Sequence, residues 1–251
     1  MKTFSEYKSS SNNRHANESI ATQYTLFPKD KAELKQMISD EIWEHGHNAD
    51  LNHIDVSNIT DFSDLFKWSR FEGDISKWDV SNAVDMSRMF YKSHFCGDIS
   101  EWDVSNVTNM EMMFYKSSFN SDISGWDVSN VTNMSHMFNT ASDFNRDLST
   151  WDVRNVRDMH GMFEDCPFNG NLKRWNTKNV ENMSHMFAKA KSFNQDISKW
   201  NVSNVKDMGY MFCSCTSFNQ DISRWDVSNV ENHYDMFEGC PCPAEYQPKF
   251  T

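Results

Sequence analysis

The chain has 251 residues and a formal net charge of −12, long enough for one or two ordinary domains and too acidic to offer the positive footprint that nucleic acid or an anionic membrane surface requires. Residues 1–10 hold no apolar run of signal-peptide length, and no later stretch is long and apolar enough to span a bilayer. Membrane insertion is therefore excluded, and the expectation is a soluble chain without a visible leader.

Taken in chain order, residues 1–24 are rich in Ser and Asn and carry too little apolar surface to offset the entropy of ordering, so a disordered polar tail is expected. Residues 25–50 predict one helix. Asp30 and Glu33 have capping-box spacing, Leu34, Met37, Ile38 and Ile42 fall on one face, and Gly46 is placed to end it. Over 51–240 one pattern recurs in eight copies. Its clearest form runs from Trp126 to Phe138, and its Trp returns at Trp78, Trp102, Trp151, Trp175, Trp200 and Trp225, with Ile54 heading the first copy. A fixed period of 24 or 25 residues predicts a repeat solenoid, in which each unit buries its apolar face only against its neighbours and the preceding helix caps the open end. Pro241, Pro243 and Pro248 follow the last copy, and 241–251 is expected to be a C-terminal tail.

Within a copy the apolar positions are a Met-Phe pair, a second Phe, an Ile or Leu, the Trp and the Val of the Asp-Val-Ser-Asn stretch. Burial of one Trp is worth about 4–6 kcal/mol as an upper bound, from roughly 150–250 Å² at about 25 cal/mol per Å². The Trp column is thus an expected main source of cohesion. An Asp or Asn before each Met-x-x-Met-Phe segment is a good helix cap, so one short helical or 3₁₀ turn per copy is predicted there. The alternation Trp126-Asp127-Val128 predicts a short parallel strand. The extra residue of the longer copies lies between the Met-Phe pair and the second Phe, where an exposed bend is expected.

The phrases Phe119 to Phe138 and Ser192 to Phe212 resemble the bacterial surface-protein repeat of mycoplasma and listeria lipoproteins, related to BspA-like leucine-rich repeats. The resemblance covers about three quarters of the chain. It implies a leucine-rich-repeat-like solenoid, a surface location, a role in adhesion or protein binding, and no catalytic motif. The exported members carry a leader and a lipid-acceptor Cys near the start; residues 1–10 show neither, so a cytoplasmic location stands beside the surface one.

Several groups are candidates for chemistry. Asn58, Asn82, Asn106, Asn130, Asn155, Asn179, Asn204 and Asn229 occupy one slot and are expected to form a structural ladder that satisfies turn backbone groups. Asp columns after the Trp and before the Ile must form hydrogen-bonded turns, share calcium, or face a basic partner. Cys213, Cys215, Cys240 and Cys242 lie near one another and are read as packing, a disulfide or zinc. Arg154, Lys178, Lys173 and Arg174 make a basic notch in the acidic face, and Arg157, Glu181, Lys206 and Glu231 alternate in sign as a pairing ladder. The nine His show no metal spacing, although His136 and His185 share a slot. With no nucleophile, base and orienting acid, no phosphate loop and no cofactor motif, the expected function is a non-catalytic scaffold. It would bind a protein or glycan through Arg154, Arg174, Lys178 and the variable column of Lys77, Glu101, Lys199 and Arg224. A spacer without ligand, or a cytosolic regulator that occupies a basic protein surface, are the alternatives, and oligomeric state is open.

Overall fold

The computed structural model describes residues 24–250. The polar tail expected over 1–24 lies, apart from Tyr24, outside the described residues. Helix α1 spans Lys31–His45. Asp30 caps it by accepting from the N–H groups of Ala32 and Glu33 at 2.8 and 3.0 Å, and the Gly46 N–H closes it on Ile42 O at φ 85°. Leu34 and Ile38 are buried and Met37 and Ile42 pack against the core, whereas Trp43 is 91% exposed on the other side. The apolar face of α1 closes the first repeat, where Phe62 and Leu65 are buried.

From there the repeats stack in register. Parallel β-bridges join Asp61 to Asp85, Asp85 to Asn109, and so on through Asp207 to Asn232, one bridge per step. The core is a set of aromatic columns. Phe66, Phe90, Phe114, Phe138, Phe163, Phe187, Phe212 and Phe237 follow one another with ring centroids 5.6–5.8 Å apart. The second Phe of each copy packs on the first, at 3.8 Å for Phe138 and Phe144. The indoles are buried too, with Trp151, Trp175, Trp200 and Trp225 spaced 6.3–6.5 Å apart. Each indole N–H donates to a carbonyl of the preceding copy, as Trp126 Nε1 to Ile99 O at 3.0 Å, so the Trp is both filler and tie.

The expected secondary structure within a copy is corrected in two places. No strand longer than a single bridge is present among the described residues, and the bridge lies at the Asp or Asn before the Met, not at Trp-Asp-Val. Trp126, Asp127 and Val128 do alternate buried, exposed, buried. Yet turns flank them on both sides, with Trp126 N–H on Ile123 O and Val131 N–H on Val128 O, which leaves too few free backbone groups in a row for a ladder. Copies are linked there by side chains instead.

The Met-x-x-Met-Phe segment is likewise not helical. Two residues per copy have left-handed φ, at the same two places in all eight: Met112 and Lys116 at 54° and 51°, His136 and Thr140 at 54° and 56°, Gly161 and Asp165 at 57° and 52°. The left-handed residues stand four apart, with negative φ at the residues between them. The N–H groups of Met110, Met112, Phe114 and Lys116 donate to the carbonyls of Asn133, Ser135, Met137 and Asn139 in the next copy, while Met113, Tyr115 and Ser117 close turns on residues three earlier. An α-helix would consume its N–H groups internally and leave none for the next copy. Helical spacing of Met110, Met113 and Phe114 therefore reported a buried face correctly and its backbone wrongly.

The last residues do more than trail. A 3₁₀ turn at Ala244–Tyr246 brings Tyr246 O to Ile222 N–H at 2.9 Å, Cys242 is buried, and Phe250 stacks on His233 with centroids 4.0 Å apart. Residues 241–250 thus lie against the final copies.

The left-handed positions carry a testable cost. Lys189 has φ 58° and an exposed side chain. A Cβ there costs roughly 1–2 kcal/mol, whereas in right-handed backbone Gly is the worse residue by roughly 0.5–1 kcal/mol relative to Ala. Lys189→Gly is expected to exceed Lys189→Ala in denaturant midpoint; the reverse order would show that the left-handed turn is not populated in solution.

Candidate functional site

The two left-handed residues of each copy, with the residues just before them, form one face of the stack. Most of their side chains are exposed or half-buried there, because the Met and Phe between them point inward, whereas Ser87, Ser135, Asn139, Ser184 and Ala188 are buried. On this face eight rings touch in sequence along the whole array. Trp68 meets Tyr91 at 5.7 Å, Tyr91 meets Tyr115 at 4.8 Å, and Tyr115 meets His136 at 6.3 Å. His136 then meets His160 at 4.4 Å, His160 meets His185 at 5.4 Å, His185 meets Tyr210 at 4.8 Å, and Tyr210 meets Tyr234 at 5.4 Å. Trp68 and Tyr234, at the two ends, are each 62% exposed. Lys92 Nζ sits 3.9 Å from the Trp68 ring, a cation–π contact of about 0.5–1 kcal/mol at such an exposed site.

This row was not legible from repeat alignment. Its members occupy four different slots of the copy, so no slot is aromatic throughout. The His in particular look scattered, but His160 stands one slot before the slot of His136 and His185, and the left-handed turn lays those two slots side by side. Three imidazoles that read as unrelated are in contact.

Beside the row lies a cleft of ≈ 440 Å³ whose walls include Tyr115, His136, Asn139, Glu164 and Lys189. Its cause is a break in a column. The slot that holds Tyr91 and Tyr115 passes to Asn139 and then Glu164, so the place of a third ring is vacant. Asn139 is buried and fully engaged: its Nδ2 meets His136 Nδ1 at 3.0 Å and donates to Glu164 Oε2 at 2.9 Å, and its Oδ1 accepts from Thr140 Oγ1 at 2.7 Å. Gly161 lets His136 lie close, since a Cβ there would stand 2.5 Å from His136 Nδ1.

The residues expected to bind a partner are elsewhere. Lys77, Glu101, Arg174, Lys199 and Arg224 are all exposed on the turn before the Trp, and Arg154 and Lys178 are exposed on the turn after it. The notch is partly neutralised: Arg154 Nε pairs with Asp152 at 2.7 Å and Lys173 with Asp196 at 2.8 Å. Glu181 bridges Arg157 at 2.8 Å and Lys206 at 3.4 Å across three copies; such exposed pairs add a few tenths of a kcal/mol.

In the Asn column, Asn82, Asn106, Asn130, Asn155, Asn179, Asn204 and Asn229 each donate Nδ2 to a backbone carbonyl of the preceding copy at 2.7–2.9 Å. Asn58, in the first copy, heads the column. The Asp columns cap their own turns, as Asp127 accepting from Ser129 N–H and Asp221 from Ser223 N–H and Oγ. Those bonds hold the Asp103, Asp122, Asp221 and Asp226 carboxyls below the usual range, and for Asp196, where Lys173 adds its charge, down to about 2. All six Cys are free thiols. Cys215 and Cys166 face backbone carbonyls of the preceding copy, and burial pushes both up to about 12, so neither is a thiolate near neutrality.

Burial, together with the neighbouring His160, lowers the pKa of His136; burial also lowers that of His185, against the opposing pull of Glu164. The unfolded chain therefore takes up protons before the folded one. Stability from these two groups is complete above the unfolded value of about 6.5 and is lost as pH falls from there toward their folded values. The midpoint of urea unfolding is expected to drop between pH 7 and 5.5, a window clear of the carboxylates, and His136→Gln with His185→Gln should flatten that slope. An unchanged slope in the double variant would assign the effect to other groups.

No curated protein and no solved structure matches this chain. A family model does match over residues 32–147, 92–167 and 147–246, which together take in α1 and all eight copies. The chain belongs to the repeat family described as Mycoplasma protein of unknown function, DUF285.

Proposed function

We propose that this protein is a non-catalytic interaction scaffold, a leucine-rich-repeat-like solenoid of the bacterial surface-protein type that binds a glycan or protein partner in adhesion. The observation that carries this reading is the ring row: eight aromatic or imidazole rings in unbroken contact on a solvent-facing side, flanked by Lys67, Lys92 and Lys116. Core packing does not require them, because the Met and Phe columns already close the interior. Aromatic side chains at a surface offer large contact area at low entropic cost, which suits recognition. The turns bearing Lys77, Glu101, Arg174, Lys199 and Arg224 provide a second variable side.

One observation favours the rival reading of a spacer with no specific ligand. Several ring faces are spent on each other, as in the near-parallel pair Tyr91 and Tyr115 at 5°, so part of the row is cohesion between copies. Binding of the purified protein to a glycan array and to immobilised extracellular-matrix proteins separates the two. Trp68→Ser with Tyr234→Ser, the most exposed rings, should cut retention about tenfold, roughly 1.4 kcal/mol. Arg154→Ser with Arg174→Ser and Lys178→Ser should leave it unchanged. Retention no greater than background by the unaltered protein would favour the spacer, and loss only in the Arg/Lys variant would move the binding side to the notch.

A further inference from the structure

We infer that the vacant ring place between Tyr115 and Glu164 is a saccharide subsite that seats one neutral pyranose ring; this rests on the scaffold reading and names a ligand class for it. The geometry begins with the Tyr column. Tyr91 and Tyr115 are parallel at 4.8 Å, which uses one face of Tyr115. Its other face has no parallel partner among the described residues. His136 meets the ring at 83° and 6.3 Å, and the Lys116 ammonium lies 5.4 Å from its centroid. In the next copy the column position is Asn139, which is short, buried and held down by His136, Glu164 and Thr140. A cleft therefore opens beside Asn139, where a third ring would stand, with Tyr115 in its lining.

The chemistry of the other walls selects the occupant. Thr140, Glu164 and Asp165 contribute oxygen atoms to the lining, and Lys116 and Lys189 contribute ammonium groups. A phenyl or indole ring placed there would satisfy the Tyr115 face and leave those polar groups desolvated without partners, at a cost of order 1–3 kcal/mol each. A pyranose has an apolar C–H face for Tyr115 and a rim of hydroxyls that both donate and accept, so it meets both walls. Charge decides against an ionic ligand. Two cations, Lys116 and Lys189, stand against two carboxylates, Glu164 and Asp165, so the lining has no excess of either sign.

The Asn139 floor is also what keeps the slot open. Its three hydrogen bonds span the fourth and fifth copies, and Gly161 leaves His136 the room to take part. The built slot is thus a departure from the repeat text at one place, which the Tyr found in the two preceding copies would fill.

Titration of the ¹³C,¹⁵N-labelled protein with methyl β-D-glucopyranoside, methyl β-D-galactopyranoside and N-acetylglucosamine, followed through the Tyr115 ring and His136 imidazole resonances, tests the inference. At least one sugar is expected to shift both sets with millimolar affinity, as befits a single small ring in an open site. Asn139→Tyr extends the Tyr column into the slot and should abolish the shifts while the amide spectrum keeps its folded dispersion, with a lower unfolding midpoint for the lost hydrogen bonds. Tyr115→Ala should weaken binding about tenfold. Phenol serves as the apolar control. No shift with any sugar, tighter binding of phenol than of all sugars, or sugar binding that survives Asn139→Tyr would each overturn the subsite. Failure here with array retention that still depends on Trp68 and Tyr234 would remove the subsite and leave the scaffold standing; loss of both would remove the scaffold as well.

Discussion

The structure depends on one constraint: each copy must pass a row of backbone N–H groups to the carbonyls of the next. The segment from Met110 to Lys116 does this with left-handed turns at Met112 and Lys116, and all four of its outward N–H groups point toward the later copy. Left-handed backbone at Met112, Lys116, His136 or Thr140 is unfavourable for residues that carry a Cβ. It persists because Met112, Lys116, His136 and Thr140 each donate an inter-copy hydrogen bond there, and because the Met and Phe between them are driven inward by burial. Strain and cohesion here are two sides of the same turn.

From that constraint the rest follows in order. Rings stack because the copies are held at a fixed rise, so a Phe placed once per copy meets its predecessor at nearly constant distance along the array. The polar side of the coil is tied by a different means, through indole N–H groups and Asn amides that reach one copy back, while Asp residues cap the turns within each copy. Every buried side-chain nitrogen or oxygen among the described residues is satisfied, and one substitution shows how strictly: where Thr177 replaces the buried Val, its hydroxyl donates to Asn201 O at 2.9 Å. With the interior closed, chemistry is left to the surfaces, and above all to the face on which the left-handed residues project.

That face explains why function is harder to read than architecture in this chain. Repeat alignment is sensitive to positions that must be the same in every copy and blind to positions that matter because they differ. Asn139 is unremarkable as a residue type; it is significant only because Tyr91 and Tyr115 precede it in the column. His160 is one slot away from His136 and His185, and alignment separates what the left-handed turn joins. The basic residues at Arg154 and Lys178 stood out for the opposite reason, as the only changes in a constant slot, and the structure shows Arg154 occupied by its own Asp152.

Periodic burial was decided by the amino-acid sequence alone. The recurrence of Trp, Phe, Met and Val at fixed spacing leaves no way to bury them except against adjacent copies, and the helix at Lys31–His45 is set by local capping and a single apolar face. Backbone path and side-chain neighbourhood were decided only by the tertiary structure. Whether Met-x-x-Met-Phe coils as a helix or takes left-handed turns depends on carbonyls one copy away, and which rings touch depends on that choice. Local propensity carries no information about a partner one copy distant, so the ring row and the slot beside it came into view only once the copies were stacked.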